Sequence, residues 1–187
     1  MEQYKVKDLM VPLSEYAVIP KNATIFEAVL ALEKTQQIFN QNNYHSRAIL
    51  VEDSSGKIIG KLSQLDILRA LEPKYADIKS EMSGSGKFGF SKQFLLSILE
   101  TYQMFDKPLD DICRKAGMEK AAKYMQSPTE GECISAEGSL DQAIHLLILG
   151  YHQSLLVTHK NEIIGILRLT DVFANISQHM KACGFNK

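Results

Sequence analysis

The sequence predicts an α/β fold made of two copies of one small unit with a helical insertion between them. Three observations carry this. Residues 56–66, GKIIGKLSQLD, return as 160–171, KNEIIGILRLTD. Upstream, IPKNATIFEAVLAL at 19–32 matches ISAEGSLDQAIHLL at 134–147. Each copy then closes on a short apolar helical pattern, Ile67, Leu68 and Leu71 in the first and Val172, Phe173 and Ile176 in the second. A unit too small to close its own core stacks on its twin, so the repeat sets the architecture before any motif does.

Each copy reads strand, helix, strand, strand, helix. Thr24-Ile25-Phe26-Glu27 fits a capping box, in which a hydroxyl accepts from an orphan amide while the carboxylate three residues on reaches back. Ser139-Leu140-Asp141-Gln142 is the same device in the second copy. Apolar residues follow at helical spacing, Ile25, Ala28, Val29 and Leu32 against Leu140, Ala143, Ile144 and Leu147. Strands come next at Ala48–Val51 and Leu155–Thr158, then polar turns, then strands at Ile58–Leu62 and Ile163–Leu167. Ala28 to Gly60 spans 32 residues and Ala143 to Gly165 only 22, which puts about ten extra residues in the Gln36–His45 region of the first copy. The insertion, 72–120, holds a Gly/Ser-rich loop at 83–86, a helical pattern from Ser91 to Phe105 and a second from Pro108 to Ala116.

Composition narrows the function classes. With 187 residues, 45% hydrophobic and 23% charged, the chain is ordinary soluble globular material. A net charge of −1 points to neither nucleic acid nor anionic membrane. Cys113, Cys133 and Cys183 are scattered without CxxC spacing and read as reduced thiols of a cytoplasmic protein. The first ten residues lack an apolar signal core, and the longest apolar stretch, Ala143 to Tyr151, is too short to span a bilayer.

With both units in view, the chain resembles a tandem pair of CBS domains, named for cystathionine β-synthase. The resemblance covers 1–71 and 121–180. It rests on Met10-Val11-Pro12 and Met125-Gln126-Ser127-Pro128 before each first strand, on the two capped helices, and on a G-h-h-x-x-x-D signature occurring twice. The signature stands as Gly60 to Asp66 and as Gly165 to Asp171. The resemblance implies two units packed sheet against sheet about a pseudo-twofold axis, leaving clefts that often hold adenosine nucleotides and serve regulation. It implies no catalysis, no required cofactor and no metal. The ligand would be AMP, ADP, ATP or S-adenosylmethionine, the protein a homodimer, and a regulated partner protein would read the arrangement of the units.

The resemblance assigns the ribose hydroxyls to Asp66 and Asp171, with Ser63 and Thr170 beside ribose or phosphate. A carboxylate accepts from two vicinal hydroxyls, and an adjacent helix N-terminus favours phosphate. The structural alternative is a plain cap, since Ser63-Gln64-Leu65-Asp66 is itself a capping box. Arg168 stands where the family has Ser or Thr. It would bind a phosphate bidentately or lie solvated at the sheet edge. Position implicates Arg47 and Ala48 on the adenine side of the first pocket, and His152, Gln153 and Ser154 in the second. Ala23 and Gly138 are small enough to admit a ligand. His45 and His152 share a Tyr-His step, with no third residue nearby to make a metal site.

Other motifs carry less. Gly84 to Gly89 satisfies G-x-G-x-x-G but follows a polar tract, YADIKSEMS, where a dinucleotide fold needs a strand. Residues 109–118 resemble the first helix of a helix-turn-helix, diluted by Asp110, Asp111 and Glu119. Cys113 beside Arg114 and Lys115 reads as inert, and no nucleophile–base pair stands out. The rival readings are a nucleic-acid-binding or transcriptional regulator using 108–124, and a ligand-free dimerisation scaffold.

Overall fold

A computed structural model describes residues 4–39, 48–82 and 91–183. The Gly/Ser-rich loop, its G-x-G-x-x-G, Arg47 and His45 fall outside the described residues. The first copy is β2 (Val18–Pro20), α1 (Ile25–Phe39), β3 (Ala48–Glu52), β4 (Ile58–Ser63) and α2 (Gln64–Leu71), preceded by β1 (Val11–Pro12). The second is β5 (Cys133–Ser135), α6 (Leu140–Gly150), β6 (Ser154–His159), β7 (Glu162–Arg168) and α7 (Leu169–Ala182). Between them lie α3 (Lys74–Met82), α4 (Lys92–Thr101) and α5 (Leu109–Met118). The repeated order strand, helix, strand, strand, helix holds in both copies.

The sheets run β2-β3-β4 and β1-β7-β6-β5. In each copy the first strand lies parallel to the second, joined through its helix, and the second pairs antiparallel with the third. Ala48 faces Ser63 and Ser154 faces Arg168, and both hairpins shift register at the same repeat position, after Val51 and after Val157. Ala48 to Val51 and Ser154 to Val157 are buried without alternation, because each sheet is covered on both faces. Ile49 and Val51 pack toward Ile25, Ala28 and Leu32 of α1, while Leu50 turns the other way to meet Leu156, Ile166, Val11 and Tyr16 between the sheets. The second copy repeats this, with Leu155, Val157 and Leu167 against Ala143 and Leu147.

The leading arms are exchanged. β1 pairs antiparallel with β7 of the other copy, Val11 opposite Ile166 and Pro12 opposite Gly165. The Val6 amide donates to Gly138 O at 3.0 Å. Reciprocally, Lys61 and Gln126 exchange backbone hydrogen bonds at 3.0 and 2.8 Å, and the Ala121 amide donates to Ala23 O at 2.9 Å. Each copy is therefore completed by the segment that leads into the other.

The insertion departs from the sequence reading in two ways. The tract read as polar, YADIKSEMS, is α3 up to Met82. The Glu72 carboxylate accepts from the Lys74 amide at its start, and Ile78 is buried, so one anchored residue suffices to hold a polar helix. No recognition helix follows α5. Residues 121–123 make a single 3-10 turn and the chain then extends to pair with β4. α5 itself packs on α1 and α2, with Ala116 in the first core. The helix-turn-helix reading fails because its second helix is the arm that completes the first copy.

Candidate functional site

A cleft of about 360 Å³ opens where the two copies meet. β3 and β6 begin there at Ala48 and Ser154, β4 and β7 end there at Ser63 and Arg168, and α2 and α7 start there. The equivalent positions of the two repeats thus share one cavity. Of the residues expected from sequence, Ala48, Ser63, His152, Gln153, Ser154, Arg168 and Thr170 line it.

Asp66 and Asp171 stand behind this wall. Asp66 is 1% exposed. Its Oδ2 accepts from the Ser63 amide at 2.9 Å and Ser63 Oγ at 2.5 Å. Its Oδ1 accepts from Arg69 Nη1 and Gln126 Nε2, both at 2.8 Å. The Asp66 amide donates back to Ser63 Oγ at 3.3 Å, closing the capping box. The acceptor capacity of this carboxylate is filled by the protein.

In the second copy the arginine at the cap position takes over the carboxylate. Arg168 Nε donates to Asp171 Oδ2 at 2.6 Å and Nη2 to Oδ1 at 2.7 Å, a bidentate pair. Arg168 is buried, which corrects the reading of a solvated arginine at the sheet edge: the i, i+3 carboxylate draws the guanidinium down onto its own helix.

Ala23 and Gly138 lie away from the cleft. Their backbone carbonyls accept from the exchanged arms, and a Cβ on Gly138 would come within 2.9 Å of Ser135 O. The cleft also contains residues that sequence reasoning passed over. Lys61 Nζ meets Glu132 Oε1 at 3.3 Å, and His152 Nδ1 lies 3.6 Å from the same oxygen, all three largely buried. Tyr16 and Tyr151 supply aromatic surface, Tyr151 from a left-handed backbone at φ 51°. Lys61 was legible as the one charged residue in an otherwise apolar signature strand. Glu132 had no sequence signal, because its partner is 71 residues away. Next to it, burial pushes the Cys133 thiol pKa up, with the Glu132 charge adding to the effect. Among the described residues no three His, Cys, Asp or Glu side chains converge to hold a metal, and no helix is long and apolar enough to cross a membrane.

The sequence profile of the CBS domain matches residues 6–73. The first copy is thus similar in sequence to a CBS domain. Over more than nine-tenths of its length the chain is similar to solved structures of the tandem CBS fold. CBSX2, a CBS-pair protein from Arabidopsis thaliana, superposes with a TM-score of 0.60 at 16% identity, over 96% of this chain and 98% of that one. CBSX2 in complex with AMP gives 0.55 at 16% identity, over 95% and 98%. A CBS-domain protein from Agrobacterium tumefaciens gives 0.55 at 16% identity, over 91% of each chain. A comparison with curated protein sequences finds no match. The CBS profile ends at 73, and the second copy shares the repeat and the fold of the first.

Proposed function

We propose that this CBS pair is a non-catalytic regulatory module whose junction cleft takes an adenosine-containing ligand, AMP, ADP, ATP or S-adenosylmethionine. The observation that carries the reading is the composition of the cleft. It joins aromatic and apolar surface (Tyr16, Tyr151, Leu65) to hydroxyls (Ser63, Ser154, Thr170) and cations (Lys61, Arg168) beside two helix N-termini. A flat base, a hydroxylated sugar and an anionic or cationic tail need those three kinds of surface together. The AMP complex of a protein with the same fold supports the class of ligand.

For Asp66 to receive ribose hydroxyls, Gln126 must give up its place on Oδ1. Ligand entry would then pull on the arm at 120–126 and change how the two copies are tied. The ligand shifts that equilibrium only by its differential affinity for the two arrangements. The exposed apolar residues of α2 and α7, Leu65, Leu68 and Phe173, support a homodimer built through these helices. The saturation of Asp66 favours a second reading, a dimerisation scaffold whose cleft stays unused.

Thermal melting against AMP, ADP, ATP and S-adenosylmethionine separates the two. At about a hundred times its dissociation constant a ligand adds roughly 2.7 kcal/mol, a shift of several degrees. Thr170→Glu places an anion in the cleft from an exposed first-turn position that tolerates one, so it should abolish a nucleotide shift without lowering the unliganded midpoint. Absence of any shift would leave the scaffold.

A further inference from the structure

A second cavity, of about 300 Å³, lies between α5, the end of α2 and the loop at 106–107. It is made largely by the insertion and is independent of the junction cleft. We propose that it binds a free α-amino acid with an apolar side chain, held as the zwitterion.

The argument is one of charge left over. α5 turns Asp111, Ile112, Lys115 and Ala116 to the cavity, the i, i+4 spacing of one helix face. Asp106 and Lys107 approach from the preceding loop. Most other charges here are spent. Glu72 accepts from the amides of Lys74 and Phe105, Lys74 Nζ donates to the carbonyls of Tyr102 and Gln103, and Glu119 is paired with Lys123 at 2.9 Å. Among the described residues, the side chains of Asp106, Lys107, Asp111 and Lys115 have no hydrogen bond or ion pair. Two carboxylates and two ammonium groups therefore border one cavity without neutralising each other. An anion alone would meet the carboxylates and a cation alone the lysines. A molecule carrying one charge of each sign satisfies both sets.

The cavity wall fixes the rest of the ligand. Leu71, Ile112 and Ala116 give an apolar wall, and the volume sits at the small end of ligand sites, suited to a molecule of amino-acid size.

The test is titration calorimetry of the full chain with L-leucine, 3-methylbutylamine and 4-methylpentanoate, which keep both charges, the ammonium alone and the carboxylate alone. Leucine should bind at least tenfold more tightly than either half-molecule. Asp111→Asn and Lys115→Gln, exposed helix-surface changes, should each weaken it tenfold or more while their melting midpoints stay at the wild-type value. Thr170→Glu in the junction cleft should leave leucine binding unchanged, which separates this site from the proposed nucleotide site whatever the fate of the latter. No leucine binding, equal binding of a half-molecule, or wild-type affinity in Asp111→Asn and Lys115→Gln would overturn the proposal.

Discussion

Gln126 Nε2 donates to Asp66 Oδ1 at 2.8 Å, joining the arm before the second copy to the buried carboxylate of the first across 60 positions of sequence. The bond makes unequal demands on its two ends. Gln126→Ala removes one of several donors to a carboxylate that stays paired, and should cost about 1 kcal/mol. Asp66→Ala removes the cap and leaves the Ser63 amide without its acceptor, and should cost about 2–4 kcal/mol. Urea unfolding checks both. If ribose competes for Oδ1, Gln126→Ala should also tighten AMP binding.

The two signature glycines should differ in tolerance. A Cβ on Gly165 would lie 2.6 Å from Val11 O, a backbone atom of the exchanged strand. A Cβ on Gly60 would meet chiefly the Met125 side chain, which can move aside. Gly165→Ala should therefore cost about 3 kcal/mol and Gly60→Ala about 1 kcal/mol. Equal costs would show that the arms do not press on these positions.

The N-terminal arm should loosen in acid. Lys5 and Lys7 flank Glu137 at 2.5 and 2.8 Å and hold its carboxyl down to about 2, from an ordinary value of 4.5. The folded value is depressed, so the contribution is complete above the ordinary value and fades as pH falls from about 4.5 through about 2. The stability difference between wild type and Glu137→Gln should shrink to nothing across that window. Both partners are half exposed, so the difference should also fall with added salt.

Lys61 and Glu132 form a largely buried pair between the two copies. Removing either alone strands a charge, so Lys61→Met and Glu132→Leu should each cost about 3 kcal/mol, while the double variant should cost far less than their sum. A double-mutant cycle measures this directly. Additive effects would mean that the pair is solvated.

Tyr151 ends α6 at φ 51° and ψ 35°, where glycine is favoured. It is 79% exposed, so its ring contributes little burial. Tyr151→Gly should stabilise the fold by about 1 kcal/mol, seen as a higher melting midpoint. The same change should weaken an adenosine ligand by removing an aromatic surface from the cleft rim. Such strain, retained beside a cavity, fits a functional position.

Much of the fold was legible because the chain states it twice. Ile25 and Ala28 mark one helix face and Leu140 and Ala143 the same face again, so periodicity and repetition agreed. The cleft was half legible. Ser63, Ser154 and Thr170 follow from strand and helix ends, which local sequence specifies. Lys61 with Glu132, and Gln126 with Asp66, depend on the arm exchange, and nothing local announces which copy an arm will join. α3 was missed for a related reason: its composition is polar, and its anchor is the Glu72 carboxylate and one buried isoleucine. Arg168 was expected to reach a ligand or solvent, but the carboxylate three residues on was nearer.

The reciprocal arms also set a timetable for biogenesis. Val11 finds its partner Ile166 only after 155 further residues have been made, roughly 8–30 s at ordinary synthesis rates. The first copy in turn stays open at Gly60 until Met125 and Gln126 arrive. The first copy can therefore close before its twin has been made, whereas the second waits on an arm synthesised at the very start of the chain.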